Sequence, residues 1–173
     1  MIIGVVADTH DNLNKVSKVI EVFKEKNIEI VLHAGDYIAP FTLKKFSELG
    51  VKLIGVFGNN DCEKPLLYKV ASGLGYELYG QPVELVLDNR NILLLHGFGG
   101  KKFTRLFVDA AAATGEYDLV VYGHTHEKDC RVFKKNSRKT VILNPGEVCG
   151  LLSGRSTVAI VNLDTLEVEV VEV

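Results

Sequence analysis

Metal-ligand side chains follow several apolar stretches of this chain, each at the point where the stretch ends. Carboxylate and amide oxygens suit hard cations, and imidazole nitrogens favour transition metals over Mg²⁺. In open α/β sheets, ligands lie outside the carboxyl ends of the strands. We therefore expect these side chains to gather along one sheet edge, where they would hold two divalent metal ions that bind a phosphate ester. The predicted ligands are Asp8, His10, Asp36, Asn59, His96, His124 and His126.

The spacing of the first predicted ligands favours a shared metal ion. Asp8 and His10 are two residues apart, so an extended backbone would point both side chains to one face. Asp36 follows Gly35, which has no side chain and permits close approach of neighbouring backbone. Because a carboxylate has two oxygens, Asp36 is the natural ligand to bridge two cations. His33, the one histidine outside this set, lies within a predicted strand, where we expect a hydrogen-bonded core residue.

The elements that must position these residues alternate between strand and helix in the first half of the chain. Apolar runs predict strands, and Leu13, Val16 and Ile20, at spacings of three and four, predict a helix that Asn12 caps. Such alternation implies parallel strands with helices covering the sheet. The predicted strands are 2–7, 28–33 and 51–57, and the predicted helices are 12–26, 41–49 and 65–72.

Three predicted hairpins surround one further helix and strand in the second half. We expect an α/β fold (α+β by some schemes), namely a four-layer αββα sandwich of two mixed β-sheets flanked by helices. No linker or repeat interrupts the pattern, so residues 1–173 are expected to form a single domain. The hairpins pair 83–87 with 91–95, 130–134 with 139–143, and 156–163 with 166–173, while the helix is 102–114 and the strand 118–122.

Composition narrows the functional classes. With 173 residues, 47% of them hydrophobic, the chain is long enough to bury a core without disulfides. Its formal net charge of -2 argues against non-specific nucleic-acid binding. No apolar run approaches the roughly 20 residues of a membrane helix. Asp8 and His10 also interrupt the first apolar run, unlike in a signal peptide. We therefore expect a cytoplasmic protein without membrane contact.

The three cysteines do not indicate a cross-linked or zinc-stabilised fold. Cys62, Cys130 and Cys149 form no Cys-x-x-Cys pair, which disfavours a disulfide framework and a structural zinc site. We expect small buried thiols in a reducing compartment.

The ordered motifs resemble those of a known enzyme family. Any one of them is weak evidence, but five in order, each after an apolar strand, are specific. They look like the five motifs of the calcineurin-like metallophosphoesterases, across essentially the whole chain. Asn144-Pro145-Gly146 is similar to an element of the small YfcE-like phosphodiesterase branch. The five motifs are Asp8-x-His10, Gly35-Asp36, Gly58-Asn59-Asn60-Asp61, His96-Gly97 and Gly123-His124-Thr125-His126.

The resemblance implies a divalent-metal-dependent phosphodiesterase. Such enzymes hydrolyse phosphodiester bonds by a two-metal mechanism with a bridging hydroxide nucleophile. Mn²⁺ is the first candidate for both ions, and Ni²⁺ or other transition metals are alternatives. Many family members form dimers, so the expected assembly is a homodimer and the expected substrate a small, nucleotide-like phosphodiester. By resemblance, one metal ion is bound by Asp8, His10, Asp36 and His126, and the other by Asp36, Asn59, His96 and His124.

Two positions depart from the family pattern. Many members carry, at the position of Asn60, a histidine that protonates the leaving group. An amide has no useful proton to give, and loss of a general acid costs roughly 10²- to 10⁴-fold in rate. We therefore expect substrates with good leaving groups, with His10 as a secondary candidate for proton handling. Glu147 stands where the branch has Ser, and we expect it to face solvent or to form a local salt bridge.

Two questions stay open at this point. Lys101 and Lys102 begin a predicted helix after a glycine-rich loop, so they are either substrate-binding residues for phosphate oxygens or solvated lysines. The chain as a whole is either an enzyme or a non-catalytic protein-binding scaffold on the same fold, like the retromer subunit. All seven ligand positions keep metal-binding side chains, which a scaffold does not need, and this favours the enzyme.

Overall fold

Two mixed β-sheets stack face to face with helices on their outer sides. We describe residues 1–173 from a computed structural model. The first half contains β1 (Ile2–Val6), α1 (Leu13–Glu25), β2 (Ile30–His33), α2 (Phe41–Phe46) with a 3₁₀ turn (Ser47–Leu49), β3 (Lys52–Val56), α3 (Lys64–Gly73) and β4 (Glu77–Tyr79). The second half contains β5 (Val83–Leu87), β6 (Arg90–Leu94), α4 (Lys101–Thr114), β7 (Leu119–Val121), β8 (Asp129–Lys135), β9 (Arg138–Asn144), β10 (Thr157–Asn162) and β11 (Glu167–Glu172).

The strand order brings the carboxyl ends of parallel strands together. The first sheet has the order β11-β10-β1-β2-β3-β4, with β1 to β4 parallel and the pairings of β10 and β11 antiparallel. The second has the order β5-β6-β7-β9-β8, with β6, β7 and β9 parallel. The predicted αββα sandwich is confirmed. Its consequence is that β1, β2, β3, β6 and β7 each end just before a predicted ligand.

Alternation of side chains divides the interior into layers. On β1, Ile3 and Val5 pack between the sheets with residues such as Leu94 of β6. The neighbouring Val6 points to the other face and packs with Phe23 of α1. This period of two is what an extended strand with both faces covered requires. Since full burial of each such side chain stabilises by about 1.5–3 kcal/mol, the two layers together hold the strand ends in place.

The side chain of Asn12 caps α1 and also bonds the second half of the chain. Asn12 Oδ1 accepts a hydrogen bond from the Lys15 backbone at 3.3 Å, which confirms the predicted N-cap. Its Nδ2 donates to the Cys149 carbonyl at 3.0 Å. The start of α1 is thereby tied to the loop that follows β9.

Two expectations about the fold were incomplete. The three-residue strand β4 was not predicted, and it exists because β3 offers a parallel edge for Glu77 to Tyr79. The expectation that all three thiols are buried is wrong for Cys62 and Cys130, which are exposed, and right for Cys149.

No helix of the structure combines the length and apolarity needed to cross a membrane.

Candidate metal centre

The loops after β1, β2 and β7 bring four predicted ligands together. Asp8, His10, Asp36 and His126 each offer one ligand atom, and these atoms all lie within 4.8 Å of one another. His10 Nε2 lies 3.5 Å from Asp36 Oδ2, and His126 Nε2 lies 3.4 Å from Asp8 Oδ1. Both aspartates are buried, whereas the two histidines are partly exposed. The structure thus gathers the residues predicted to share one metal ion.

A left-handed backbone, rather than an extended one, directs these side chains. β1 ends at Val6, so the expectation that Asp8 and His10 share a face through extended geometry is wrong, although the two side chains do converge. Left-handed backbone costs a non-glycine residue roughly 1–2 kcal/mol and clusters at functional sites. The ligands with φ between +43° and +67° are Asp8, His10, Asp36, His124 and His126.

The remaining predicted ligands lie beside the first four. Asn59 Oδ1 is 2.9 Å from His96 Nε2 and 2.8 Å from His124 Nδ1. His96 Nε2 is also 3.5 Å from Asp36 Oδ2, the oxygen that faces His10 on the other side. Asp36 therefore lies between the two groups, which is the place of a bridging ligand.

Three of the histidines have one ring nitrogen held by an acceptor outside the cluster of ligands. A ring nitrogen that donates to an acceptor carries the proton, so a neutral ring presents its other nitrogen as a lone pair. Such orientation by a neighbouring group is typical of metal-binding histidines. The pairs are His96 Nδ1 with the Ala34 carbonyl at 2.8 Å, His124 Nε2 with the Gly99 carbonyl at 2.5 Å, and His126 Nδ1 with Glu147 Oε2 at 2.8 Å.

The unsatisfied atoms of the site fit divalent cations. Asp8 Oδ1 and His10 Nε2 are buried without a hydrogen-bond partner. The lone pairs of His96 and His124 face another acceptor, Asn59 Oδ1, and opposed acceptors need a positive centre between them. Mixed carboxylate, amide and imidazole ligands suit transition-metal ions better than Mg²⁺. The donor set therefore fits the metal ions that the motifs imply.

Electrostatics support the same interpretation. Burial, together with the nearby charge of Asp36, raises the pKa of Asp8 well above its usual range. Burial also lowers the pKa of His10, and it lowers the pKa of His96 to about 4. The cluster thus combines crowded carboxylates with neutral imidazoles, an arrangement that bound cations stabilise.

Asp61 holds two ligand loops together, a role that the sequence did not reveal. Its carboxylate accepts backbone N–H groups of Asp36 at 3.0 Å, Tyr37 at 2.7 Å, Ile38 at 2.9 Å and Gly58 at 2.7 Å. The loop after β2 is thereby fixed to the loop after β3. The sequence does not predict this role, because the backbone amides that Asp61 bonds belong to a loop more than 20 residues away.

Two other polar side chains fix ligand loops in the second sheet. Gln81 Oε1 accepts from the backbone of His96 and of Gly97, each at 2.8 Å. Asn144 Nδ2 donates to the Gly123 carbonyl at 2.9 Å, just before His124. Asn144 of the Asn-Pro-Gly element therefore fixes the backbone of the loop that carries His124.

Glycines permit the close approach of these loops. A Cβ atom on Gly58 would lie 2.1 Å from Asp36 Oδ1. A Cβ atom on Gly35, which has a φ of +91°, would lie 2.8 Å from both the Gly58 nitrogen and His96 Nδ1. The expected role of Gly35 in close backbone approach is confirmed.

The two positions that depart from the family pattern both contact predicted ligands. Asn60 donates from its backbone and its Nδ2 to the carboxylate of Asp36, at 2.9 and 2.7 Å. Glu147 is completely buried, so the expectation that it faces solvent is wrong. Its carboxylate pairs instead with His126 Nδ1 at 2.8 Å.

His33 and the two lysines lie outside the ligand cluster. His33 is buried, its Nδ1 accepts from the Gly35 backbone at 3.1 Å, and its ring stacks on Tyr37, as expected of a hydrogen-bonded core residue. Lys101 Nζ pairs with Glu127 at 2.7 Å, and Lys102 is exposed. Neither lysine forms a hydrogen bond or an ion pair with a predicted ligand.

Known proteins share this sequence pattern and fold. Residues 1–166 match the calcineurin-like phosphoesterase superfamily domain. The chain is 36% identical over 168 residues to phosphodiesterase MJ0936 of Methanocaldococcus jannaschii, with 96% of each protein covered. An archaeal phosphodiesterase structure superposes with a TM-score of 0.88 at 31% identity over 100% of both chains. The phosphoesterase YfcE of E. coli, with a TM-score of 0.67 and 19% identity over 99% of this chain and 98% of that chain, shares the fold. This chain therefore belongs to the calcineurin-like phosphoesterase superfamily.

Proposed function

We propose that this protein is a divalent-metal-dependent phosphodiesterase. The observation that carries the proposal is the convergence of Asp8, His10, Asp36 and His126, whose ligand atoms lie within 4.8 Å of one another. Family membership supports phosphoester chemistry. The similarity to phosphodiesterase MJ0936 supports a diester as the substrate.

Two overlapping groups of residues would hold two metal ions. Mn²⁺ is our first candidate for both, and Ni²⁺ or another transition metal is the alternative. When bound, such ions supply a hydroxide nucleophile and neutralise the negative charge of the phosphate. One group is Asp8, His10, Asp36 and His126, and the other is Asp36, Asn59, His96 and His124.

The chain's own residues then decide which substrates react. Asn60 Nδ2 holds Asp36 and has no acidic proton for a leaving group. His10 has an unpartnered Nε2, and burial lowers the pKa of its ring. At neutral pH this histidine is therefore a metal ligand or a proton acceptor rather than an acid. Both residues favour diesters whose leaving groups depart without strong protonation.

The first test compares an aryl diester with an aryl monoester. We expect bis(p-nitrophenyl) phosphate to be hydrolysed with Mn²⁺, faster than p-nitrophenyl phosphate, and to be spared after chelation. Readdition of Mn²⁺ should restore the rate, and Asp36→Ala should abolish it. Activity that persists after complete metal removal would refute the metal-dependent mechanism. A protein that binds no metal and hydrolyses neither ester would support the scaffold alternative.

Substrate size and assembly need separate measurements. We propose a nucleotide-like diester and a homodimer, and we propose that Lys101 and Lys102 at the start of α4 receive phosphate oxygens. A panel of cyclic nucleotides and linear dinucleotides tests the substrate, and sedimentation velocity tests the dimer. In the proposed complex, the ammonium group of Lys101 leaves Glu127 and binds a phosphate oxygen of the substrate. Lys101→Ala removes that positive charge and should therefore raise KM at unchanged kcat. An unchanged KM would exclude that role.

A further inference from the structure

The carboxylate of Glu147 lies among several hydrogen-bond donors. The residue is completely buried and directly follows Asn144-Pro145-Gly146. The backbone N–H groups among its neighbours can only donate, and they reach both carboxylate oxygens, so the geometry favours the ionised form. The donors are His126 Nδ1 at 2.8 Å, Cys149 Sγ at 2.8 Å, the backbone N–H of Leu151 at 3.1 Å and of Leu152 at 2.9 Å, and both the backbone N–H and the hydroxyl of Ser153.

The bond to His126 sets the orientation of that ring. An ionised carboxylate only accepts, so Nδ1 carries the proton, and Nε2 presents its lone pair 3.4 Å from Asp8 Oδ1. His96 and His124 are oriented by backbone carbonyls instead. Among these three rings, His126 alone is paired with a side-chain carboxylate, an arrangement typical of metal-binding histidines.

The same carboxylate organises the loop of residues 150–154. Because Leu151, Leu152 and Ser153 turn their N–H groups inward to Glu147, the side chains of Leu151 and Leu152 point outward and are each 71% exposed. One buried residue thus joins a predicted metal ligand to an apolar loop at the edge of the site.

We propose that Glu147 is a positioning residue that fixes the tautomer and orientation of His126 for metal binding and fixes the 150–154 loop beside it. The part that concerns metal binding rests on the proposed function. The residue does not touch the reacting atoms, and it acts through His126 and the loop.

Glu147→Gln is the direct test, with Glu48→Gln as the matched control. Glutamine keeps the shape of the side chain, but it replaces one oxygen with an NH₂ group. That group would face the N–H donors that bond the wild-type carboxylate, so hydrogen bonds would be lost. Glu48 is exposed and pairs with Lys45 at the surface. In calorimetric titration of the metal-free proteins, Glu147→Gln should bind Mn²⁺ roughly 10- to 100-fold more weakly, as is typical when the partner of a ligand is lost. A loss of less than about threefold, or an equal loss in Glu48→Gln, would overturn the proposal.

Two measurements distinguish positioning from a general loss of structure. In the metal-free wild-type protein at pH 8, nitrogen-15 NMR of the histidine rings should show the His126 proton on Nδ1, and a proton on Nε2 alone would refute the assignment. Thermolysin should cleave before Leu151 or Leu152 faster in Glu147→Gln than in Glu48→Gln, and equal rates would exclude the loop function. The NMR measurement needs no variant, so it decides even if Glu147→Gln does not fold.

The outcomes also separate this proposal from the proposed function. A wild-type protein that binds Mn²⁺ without hydrolysing any diester would end the proposed function, whereas the NMR and metal titrations would still decide the role of Glu147. If the wild type hydrolyses diesters and Glu147→Gln binds Mn²⁺ as tightly, the proposed function stands and the positioning role fails.

Discussion

Asp61→Asn should weaken both the fold and the metal centre. The carboxylate of Asp61 joins the loop after β2 to the loop after β3 through four backbone N–H groups. Asparagine keeps the volume and the acceptor Oδ1, which bonds Tyr37 and Ile38. It replaces Oδ2 with an NH₂ group that would face the N–H groups of Asp36 and Gly58.

The magnitude follows from the two lost bonds. A hydrogen bond to a charged group contributes about 1.5–3 kcal/mol, so the loss of two costs roughly 3–6 kcal/mol. Part of this is offset, because burial raises the pKa of Asp61 and the wild-type charge is itself unfavourable there. We expect the free energy of unfolding to fall by about 2–4 kcal/mol. Since Asp36 loses its support, Mn²⁺ affinity should also fall roughly 10- to 100-fold.

Urea denaturation of the metal-free protein, followed by circular dichroism, measures the first effect, and calorimetric Mn²⁺ titration measures the second. Asp109→Asn is the control, because Asp109 is an exposed carboxylate 2.7 Å from Arg131. Such a surface pair is worth only about 0–1 kcal/mol. If Asp61→Asn unfolds at the same urea concentration as Asp109→Asn and binds Mn²⁺ like the wild type, the bridging role assigned to Asp61 is refuted.

Three further experiments test the close approach of Gly58 to Asp36, the absence of a general acid at Asn60, and the accessibility of the thiols. Gly58→Ala should weaken Mn²⁺ binding at least tenfold, because its Cβ would lie 2.1 Å from Asp36 Oδ1. Gly73→Ala, where a Cβ meets nothing within 4 Å, should leave the affinity unchanged, and equal affinities of the two variants would contradict the steric argument. Asn60→His should raise the rate for alkyl diesters roughly 10- to 100-fold more than for aryl diesters, and a uniform change would exclude the missing-acid explanation. With Ellman's reagent at pH 8, the exposed Cys62 and Cys130 should react in the native protein, whereas Cys149 should react only after unfolding, because burial and its bond to Glu147 raise its pKa to about 12. Three rapidly reacting thiols would contradict this.

The residues of the candidate metal centre could be identified from the sequence because each one lies close to the end of a strand. Apolar strands are recognisable from composition, and the residue after a parallel strand reaches the shared sheet edge in any α/β arrangement. For this reason the sequence predicts Asp36, Asn59 and His96 without knowledge of the packing. The alternation of strands, helices and hairpins likewise predicts the αββα layers.

Features that depend on contacts between distant segments were not predictable in the same way. The sequence predicts that Glu147 faces solvent or forms a local salt bridge, because a glutamate in a loop is usually solvated. It is buried because its own loop folds back to supply N–H groups from Leu151 to Ser153, and because His126 pairs with it from the loop after β7. This arrangement has no sequence pattern of its own. The strand β4 is another case, because three residues become a strand only where β3 leaves an edge.

Backbone strain explains why the supporting residues matter as much as the ligands. Five of the predicted ligands have left-handed backbone, which costs roughly 1–2 kcal/mol each. Together that is comparable to the whole stability of about 5–15 kcal/mol of an ordinary domain. The ligand loops keep this conformation because side chains from elsewhere bond their backbone or their rings. A chain with all seven ligands but without these supports would be expected to fold and yet to bind metal weakly. The supporting side chains are Asp61, Gln81, Asn144 and Glu147.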